Sequence, residues 1–289
     1  MDSGIDWNHK DFIDNDELYP SNPANWQTRI MYIWDQHLSN DPHYSVSPPD
    51  GYAYGLEYSS TEINQAIQGG NSLATIDTIG HGSHVAGIAA GDGTSTNNTY
   101  IGMAPECKLI VCKNDLNDTG KKLDGFDWIL YKASESELNM PVVINFSQGG
   151  NWGPHDGTTL WEQAINYDIQ NNGLNLVVSA GNSRNDREHA QYDIPANDHH
   201  QFEIHFDEYQ PDVIDRWIQF WYEGSDNFNI RIRPNVLLVD WCDPVPLGTT
   251  NMTIPFGIDG VSGQIIISHL TSSENEDKFI NINVYMSSA

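Results

Sequence analysis

Three short segments carry residue types that can do acid–base or acyl-transfer chemistry. Asp2-Ser3-Gly4 stands at the start of the sequence. An Asp before Ser-Gly is either turn chemistry, its side chain bonding the backbone two residues on, or a carboxylate presented to a partner elsewhere. The second segment, His81-Gly82-Ser83-His84-Val85-Ala86-Gly87, runs on into Ile88-Ala89-Ala90-Gly91. It reads as a histidine at the start of a helix whose small residues let it pack close to a sheet. A histidine there feels the positive end of the helix dipole, which disfavours imidazolium and suits a general base, while a nearby carboxylate opposes that effect. Two other readings stand beside this one. His81 and His84, three apart on one helical face, would be metal ligands completed by Asp2 or His9, although the intervening Glu of the zinc-protease motif is absent. Alternatively, both are capping or packed residues. The third segment is the apolar run 174–180, which ends in Ser179-Ala180-Gly181-Asn182. Ligands meet the carboxyl ends of strands in α/β folds, so Asn182 is either an amide donor to an oxyanion or an asparagine in a turn.

The elements that position these segments follow from hydrophobic patterning. Over the first 195 residues short apolar runs alternate with helix-like stretches, the rhythm of an α/β fold. Strands are expected at 108–113, 142–146 and 174–180 and helices at 123–138 and 159–170, giving one largely parallel sheet flanked by helices. From about residue 201 the period becomes two: Phe202, Ile204 and Phe206, then Ile218, Phe220 and Tyr222, then Phe228, Ile230 and Ile232, with further strands at 263–270 and 278–286. That pattern predicts an antiparallel β-sandwich or jelly roll. The expected division is an α/β domain over 1–195 and a β-rich domain over 200–289, joined through the polar stretch 185–200. Asp14, Asn15, Asp16 and Glu17 match no calcium-loop template and are read as a solvated acidic turn rather than a metal site. The aromatics Trp26, Tyr32, Trp34, Tyr44, Tyr52, Tyr54 and Tyr58 either pack in a core or wall a cleft, and packing is the expectation.

Composition bounds the function. Among 289 residues, 13 Lys and Arg oppose 40 Asp and Glu, a net charge of −27, which repels phosphate backbones and anionic headgroups and argues against nucleic-acid or membrane-surface partners. Hydrophobic residues at 38% and aromatics at 11% demand a packed core rather than a disordered acidic chain. No apolar run approaches the roughly 20 residues that cross a bilayer, so no membrane span is expected. Three cysteines make no disulfide framework, and Cys107 and Cys112 lie too far apart along one strand-like run to pair. No basic region followed by an apolar one marks a secretion signal. No residue pattern speaks to oligomeric state.

Taken together, Asp2-Ser3-Gly4, His81 through Gly87, Gly102-Met103-Ala104-Pro105, Val143-Ile144-Asn145-Phe146-Ser147-Gln148-Gly149-Gly150 and Ser179-Ala180-Gly181-Asn182, in this order, resemble the subtilisin-like serine proteases, the subtilase family. The resemblance covers roughly residues 1–185. It implies a serine-type endopeptidase acting on peptide or protein substrates, in which Asp2 orients the imidazole, His81 is general base and then acid, and Asn182 lines the oxyanion hole. It further implies that Ser147, Gln148 and Gly149 pair with substrate backbone in strand addition, that Ser179, Ala180 and Gly181 form one wall of the primary specificity pocket, and that His84 is structural. The family resemblance requires no cofactor, admits a structural calcium ion whose ligands the sequence does not name, and suggests an extracellular or cell-envelope location. The β-rich stretch after Asn182 resembles the clostridial-type bacterial branch with an inserted jelly roll, as do residues 25–35 and Tyr54-Gly55-Leu56-Glu57-Tyr58.

Two departures qualify the resemblance. The nucleophile comes last in this family's order, in a Gly-Thr-Ser-Met-Ala-type segment opening a helix, and no such segment occurs in the sequence. Ser272, Ser273, Ser287 and Ser288 lack its flanking glycine and small helical face, and Ser262-Gly263 sits in an alternating strand context. Only Met1 precedes Asp2, although an Asp of this kind ends a buried strand. The expectation is therefore a fragment cut at both ends, inactive through the expected serine. Its rivals are a pseudoprotease that binds peptides or protein partners, and a β-sandwich module for carbohydrate or cell-surface attachment carried by the α/β part.

Overall fold

The computed structural model describes residues 1–14, 22–114, 118–135, 141–186, 188–201, 203–204, 215–233, 242–258, 261–273 and 276–288. The chain divides into two compact units, residues 1–149 with 164–181 and residues 150–163 with 182–289.

In the first unit, β1 (Ile13–Asp14) and β2 (Gln27–Thr28) form a short antiparallel ribbon. Strand β3 (Ile30–Asp35) then pairs antiparallel with β4 (Leu56–Ser59) and, on its other side, parallel with β5 (Leu109–Lys113). The sheet is covered on both faces, and β3 divides its side chains between them by period two. Ile33 and its cross-strand neighbour Tyr58 are fully buried in a cluster with Ile63 and Ile67. These last two belong to α1 (Ser60–Ile67), whose buried residues Ile63, Ala66 and Ile67 follow helical spacing. A capping box of Ser59 and Glu62 starts that helix, satisfying two of its orphan donors reciprocally.

On the opposite face Trp34 packs against Trp128 with ring centroids 5.5 Å apart. Trp128 belongs to α3 (Thr119–Glu135), which follows α2 (His81–Ala90) along the chain. Trp34, Trp128 and Tyr58 are almost wholly buried, and each such ring contributes about 1.5–3 kcal/mol by leaving water. The aromatics of residues 26–58 are thus largely core. α3 begins at Thr119 rather than at the expected residue 123, because Asp118 Oδ1 takes the backbone N–H of Lys121 at 3.1 Å and caps the helix early. Residues 136–138, expected in that helix, lie outside the described residues.

Strands β6 (Ile144–Phe146) and β7 (Leu176–Val178), with α4 (Leu160–Asn171) between them in sequence, pair parallel. The expected parallel strands therefore form two pieces, β4-β3-β5 and β6-β7. Met1 and Asp2 lie between the pieces. Asp2 N donates to Cys112 O at 3.1 Å, Asn114 N donates to Asp2 O at 3.2 Å, and the Met1 amine donates to Asn145 O at 3.0 Å. A single bridge, Asp2 to Lys113, is too short to count as a strand, which is why the sheet is interrupted there.

The second unit carries an antiparallel sheet in the order β8-β11-β10-β9, formed by β8 (Asp215–Tyr222), β9 (Thr249–Ile258), β10 (Val261–Thr271) and β11 (Lys278–Ser288). Its apolar face gathers Ile218, Phe220, Ile265, Ile267, Ile280, Ile282 and Val284. The antiparallel character matches the alternating pattern, and among the described residues it is one sheet. Residues 228–232 make no strand. Ile230 meets Val245 in an isolated bridge, and the N–H of Ile232 goes to Cys242 Sγ at 3.1 Å instead of continuing a ladder. Phe202 and Phe206 lie outside the described residues, as do Asn15, Asp16 and Glu17, while Asp14 is an ion-pair partner of Lys108 at 3.2 Å. On the polar face of the sheet Trp217 stacks on Trp152 at 3.9 Å and Trp221 on Phe279 at 4.8 Å. Trp152 and Trp217 are exposed, at 66% and 38%, whereas Trp221 and Phe279 are half-buried. No described helix is long and apolar enough to cross a membrane.

Candidate active site

His81 is the first residue of α2, and donors that a helix start leaves unpaired are satisfied from the segment holding Asp2 and from the loop just before the helix. Gly82 N donates to Ser3 Oγ at 2.9 Å and Ser83 N to Asp77 Oδ2 at 2.9 Å. Asp6 N donates in return to Ser83 Oγ at 2.7 Å. The two segments touch at backbone distance because glycines face each other. A Cβ on Gly82 would lie 2.1 Å from Gly4 O, and Gly4 holds φ +130°, a conformation that side-chain-bearing residues rarely adopt.

This docking brings His81 Nδ1 to 2.7 Å from Asp2 Oδ1. A carboxylate accepts, so the bond assigns the proton of the neutral ring to Nδ1 and leaves the Nε2 lone pair for proton transfer. Asp2 is buried, whereas the His81 side chain is 51% exposed. The pairing is thus anchored on the protein side and open on the other. Asp2 Oδ1 also accepts from Ser3 N at 2.7 Å.

Lys113 locks the surroundings. Its backbone bridges Asp2, its ammonium lies 3.1 Å from the fully buried Asp35 Oδ2, and it donates to Ile76 O at 2.9 Å. One residue therefore touches the strand gap that holds Asp2 and the loop that leads to His81.

Ser147, Gln148 and Gly149 follow β6, and Ser179, Ala180 and Gly181 follow β7. The structure brings the two strips together: Ser179 N donates to Phe146 O and Ser179 Oγ to Gln148 O, both at 3.3 Å. Gly149, Ala180 and Gly181 are exposed, and Ser147 and Gln148 half-buried. Asn182 is exposed and belongs to the second unit. His84 is exposed on α2, and among the described residues no three His, Cys, Asp or Glu side chains form a group that could hold a metal ion.

Three residues of this neighbourhood carried no notice in the sequence: Asp77, Lys113 and Asn114. Asp77 had a readable signal, an acidic residue just before a helix start, of the kind that caps orphan donors. Lys113 and Asn114 had none, since their partners come from distant segments.

The chain matches the model of the subtilase family over residues 1–202. It belongs to the subtilase family. Among similar subtilases and proteases, the thermophilic serine proteinase of Bacillus sp. (strain AK1) is 34% identical over 137 residues, covering 45% of this chain and 31% of that protein. Alkaline protease 1 of Aspergillus flavus is 29% identical over 162 residues, 51% of this chain and 36% of that one. The CspB protease of Clostridium perfringens has a similar fold, with a TM-score of 0.67 at 21% identity over 99% of this chain and 55% of that chain. The chain thus spans about a third of the length of the two relatives and about half of the structural neighbour.

Proposed function

We propose that this subtilase chain is part of a serine-type endopeptidase in which Asp2 and His81 are two members of an Asp-His-Ser triad. The observation that carries the reading is the 2.7 Å hydrogen bond between Asp2 Oδ1 and His81 Nδ1 at the first residue of α2. The serine is supplied by sequence outside residues 1–289. His81 Nε2 takes the hydroxyl proton as that serine attacks a peptide carbonyl, and the imidazolium so formed is stabilised by Asp2. His81 then returns the proton to the leaving amine. Asn182 donates its side-chain amide to the tetrahedral oxyanion, residues 147–149 pair with substrate backbone, and Ala180 and Gly181 wall the pocket for the residue before the scissile bond. Residues 1–195 act as the catalytic domain and 200–289 as a jelly-roll-like insertion. The reaction requires no cofactor, with calcium as a structural ion and the cell envelope or exterior as the site of action.

The test is active-site labelling of the full reading frame with a fluorophosphonate probe, beside a His81→Ala control. Labelling of the parent and not of the control supports the triad. A folded, unlabelled parent overturns it in favour of a pseudoprotease that keeps the scaffold to bind peptides or partner proteins.

A further inference from the structure

The Asp2–His81 pair joins two segments that are 79 positions apart, and neither residue holds the other at the required distance. A third group does so from the loop between them. Asp77 Oδ1 accepts from Ser3 Oγ at 2.9 Å, from Gly80 N at 2.9 Å and from Ile79 N at 3.3 Å. Its Oδ2 accepts from Ser83 N at 2.9 Å and Ser83 Oγ at 2.7 Å. One carboxylate therefore grips the residue after Asp2 with one oxygen and the first turn of α2 with the other.

Ser3 makes the grip a closed circuit. Its hydroxyl donates to Asp77 and accepts from Gly82 N, so Asp77, Ser3 and the backbone on either side of His81 are fixed in one ring of hydrogen bonds. The loop carrying Asp77 is tethered in turn, since Lys113 Nζ donates to Ile76 O at 2.9 Å while the backbone of Lys113 bridges Asp2. Burial pushes the Asp77 carboxyl up, but the bonds from Ser83, Gly80 and Ser3 outweigh it and hold the group below its ordinary value, as expected of a carboxylate whose charged form is the one recognised.

We propose that Asp77 is a positioning residue for the Asp2–His81 pair: it sets the separation and angle between the Asp2-Ser3 segment and the start of α2. It touches neither substrate nor the reacting atoms. The inference rests on the proposed reading of Asp2 and His81 as an acid–base pair.

The test reads His81 spectroscopically in this chain, without an activity assay. With histidine labelled by nitrogen-15, the His81 resonances are identified by their loss in His81→Gln, and the indole N–H of Trp128, which bonds Glu57 Oε2 at 2.7 Å, reports the remaining fold. In the parent, the His81 Nδ1–H is expected to be downfield-shifted and slow to exchange with solvent. In Asp77→Asn and in Ser3→Ala its exchange speeds up by about tenfold or more, the equivalent of one hydrogen bond's net contribution, while the Trp128 signal stays in place. Ser3→Thr, which keeps the hydroxyl, retains the parental signal. An Asp77→Asn protein with parental His81 shift and exchange overturns the role of Asp77. Should that variant not fold, Ser3→Ala, which removes the link between Asp77 and the Asp2 segment together with the bond from Gly82 N to the same hydroxyl, overturns the role of Asp77 if its His81 exchange stays parental. A parent without the Nδ1–H signal overturns instead the acid–base reading on which this inference stands.

Discussion

Asn114 and Gln148 exchange hydrogen bonds through both side-chain amides, Asn114 Nδ2 to Gln148 Oε1 at 3.2 Å and Gln148 Nε2 to Asn114 Oδ1 at 2.8 Å. Asn114 is 1% exposed and bonds Asp2 O through its backbone N–H. Gln148 accepts from Ser179 at its carbonyl. The amide pair thus connects the main chain of Asp2 to both strips that are proposed to hold substrate, through neutral groups that satisfy one another.

Breaking this pair exposes its worth. Asn114→Leu leaves the Gln148 amide facing an apolar side chain and costs about 1–3 kcal/mol, read by urea unfolding. Gln148→Leu in the same background recovers part of that loss, because no unpaired amide remains. Additive costs in the double-mutant cycle would show that the two side chains are not coupled.

Two glycines of α2 are expected to respond with opposite signs. Alanine at Gly82 drives a Cβ to 2.1 Å from Gly4 O, backbone that cannot swing aside, so Gly82→Ala destabilises by about 1–3 kcal/mol or more and separates His81 from Asp2. Nothing lies within 4 Å of a Cβ at Gly87, and Gly87→Ala raises stability by about 0.5–1 kcal/mol through helix propensity. Thermal unfolding of the two variants tests the contrast. Equal destabilisation would mean that the close approach of the segments is not what glycine at 82 serves.

The contrast between what the sequence disclosed and what it hid follows the same geometry. α2, with His81 at its first residue, and the strands β5, β6 and β7 lay in segments of distinctive local pattern, as did the alternating strands β8, β10 and β11. Strand β3 did not, because Ile30, Ile33, Trp34 and Asp35 are all buried; a strand covered on both faces shows no clean alternation, and its aromatics look alike in a core or a cleft. The break in the sheet at Asp2 is equally invisible to periodicity, since it depends on a two-residue rung held by Cys112, Asn114 and Asn145. Residues 228–232 alternate because Ile230 and Ile232 face the apolar side of the second unit, yet alternation cannot tell a side chain resting on a sheet from one belonging to it.

Cysteine chemistry separates the first unit's two thiols. Burial in β5 beside α3 pushes the Cys112 thiol up to about 12, so at neutral pH it is neither ionised nor reachable. Cys107 is half-buried. Iodoacetamide at about pH 8, near the ordinary thiol range, is expected to alkylate Cys107 in the native chain and Cys112 only after denaturant is added. Native labelling of Cys112 at a rate close to that of Cys107 would contradict the packing of β5 against α3.

Acid sensitivity is expected from Asp41, which ties the loop after β3 to the chain before α2. His43 N and Tyr44 N donate to its Oδ1 at 2.7 and 3.0 Å, and Tyr58 OH and Ala74 N to its Oδ2 at 2.8 and 2.9 Å. Burial raises its pKa, but these donors together overcome burial and lower it. A folded-state value below the unfolded one means that the contribution is fully present above the ordinary Asp value of about 3.9 and is lost as pH falls through the folded value. The stability gap between parent and Asp41→Asn should therefore be constant from about pH 7 to about pH 5 and shrink below about pH 4. Taking the difference removes the many other carboxylates of this acidic chain, which titrate in both proteins. A gap that keeps its size down to about pH 3 would mean that the four donors recognise the shape of the side chain and not its charge.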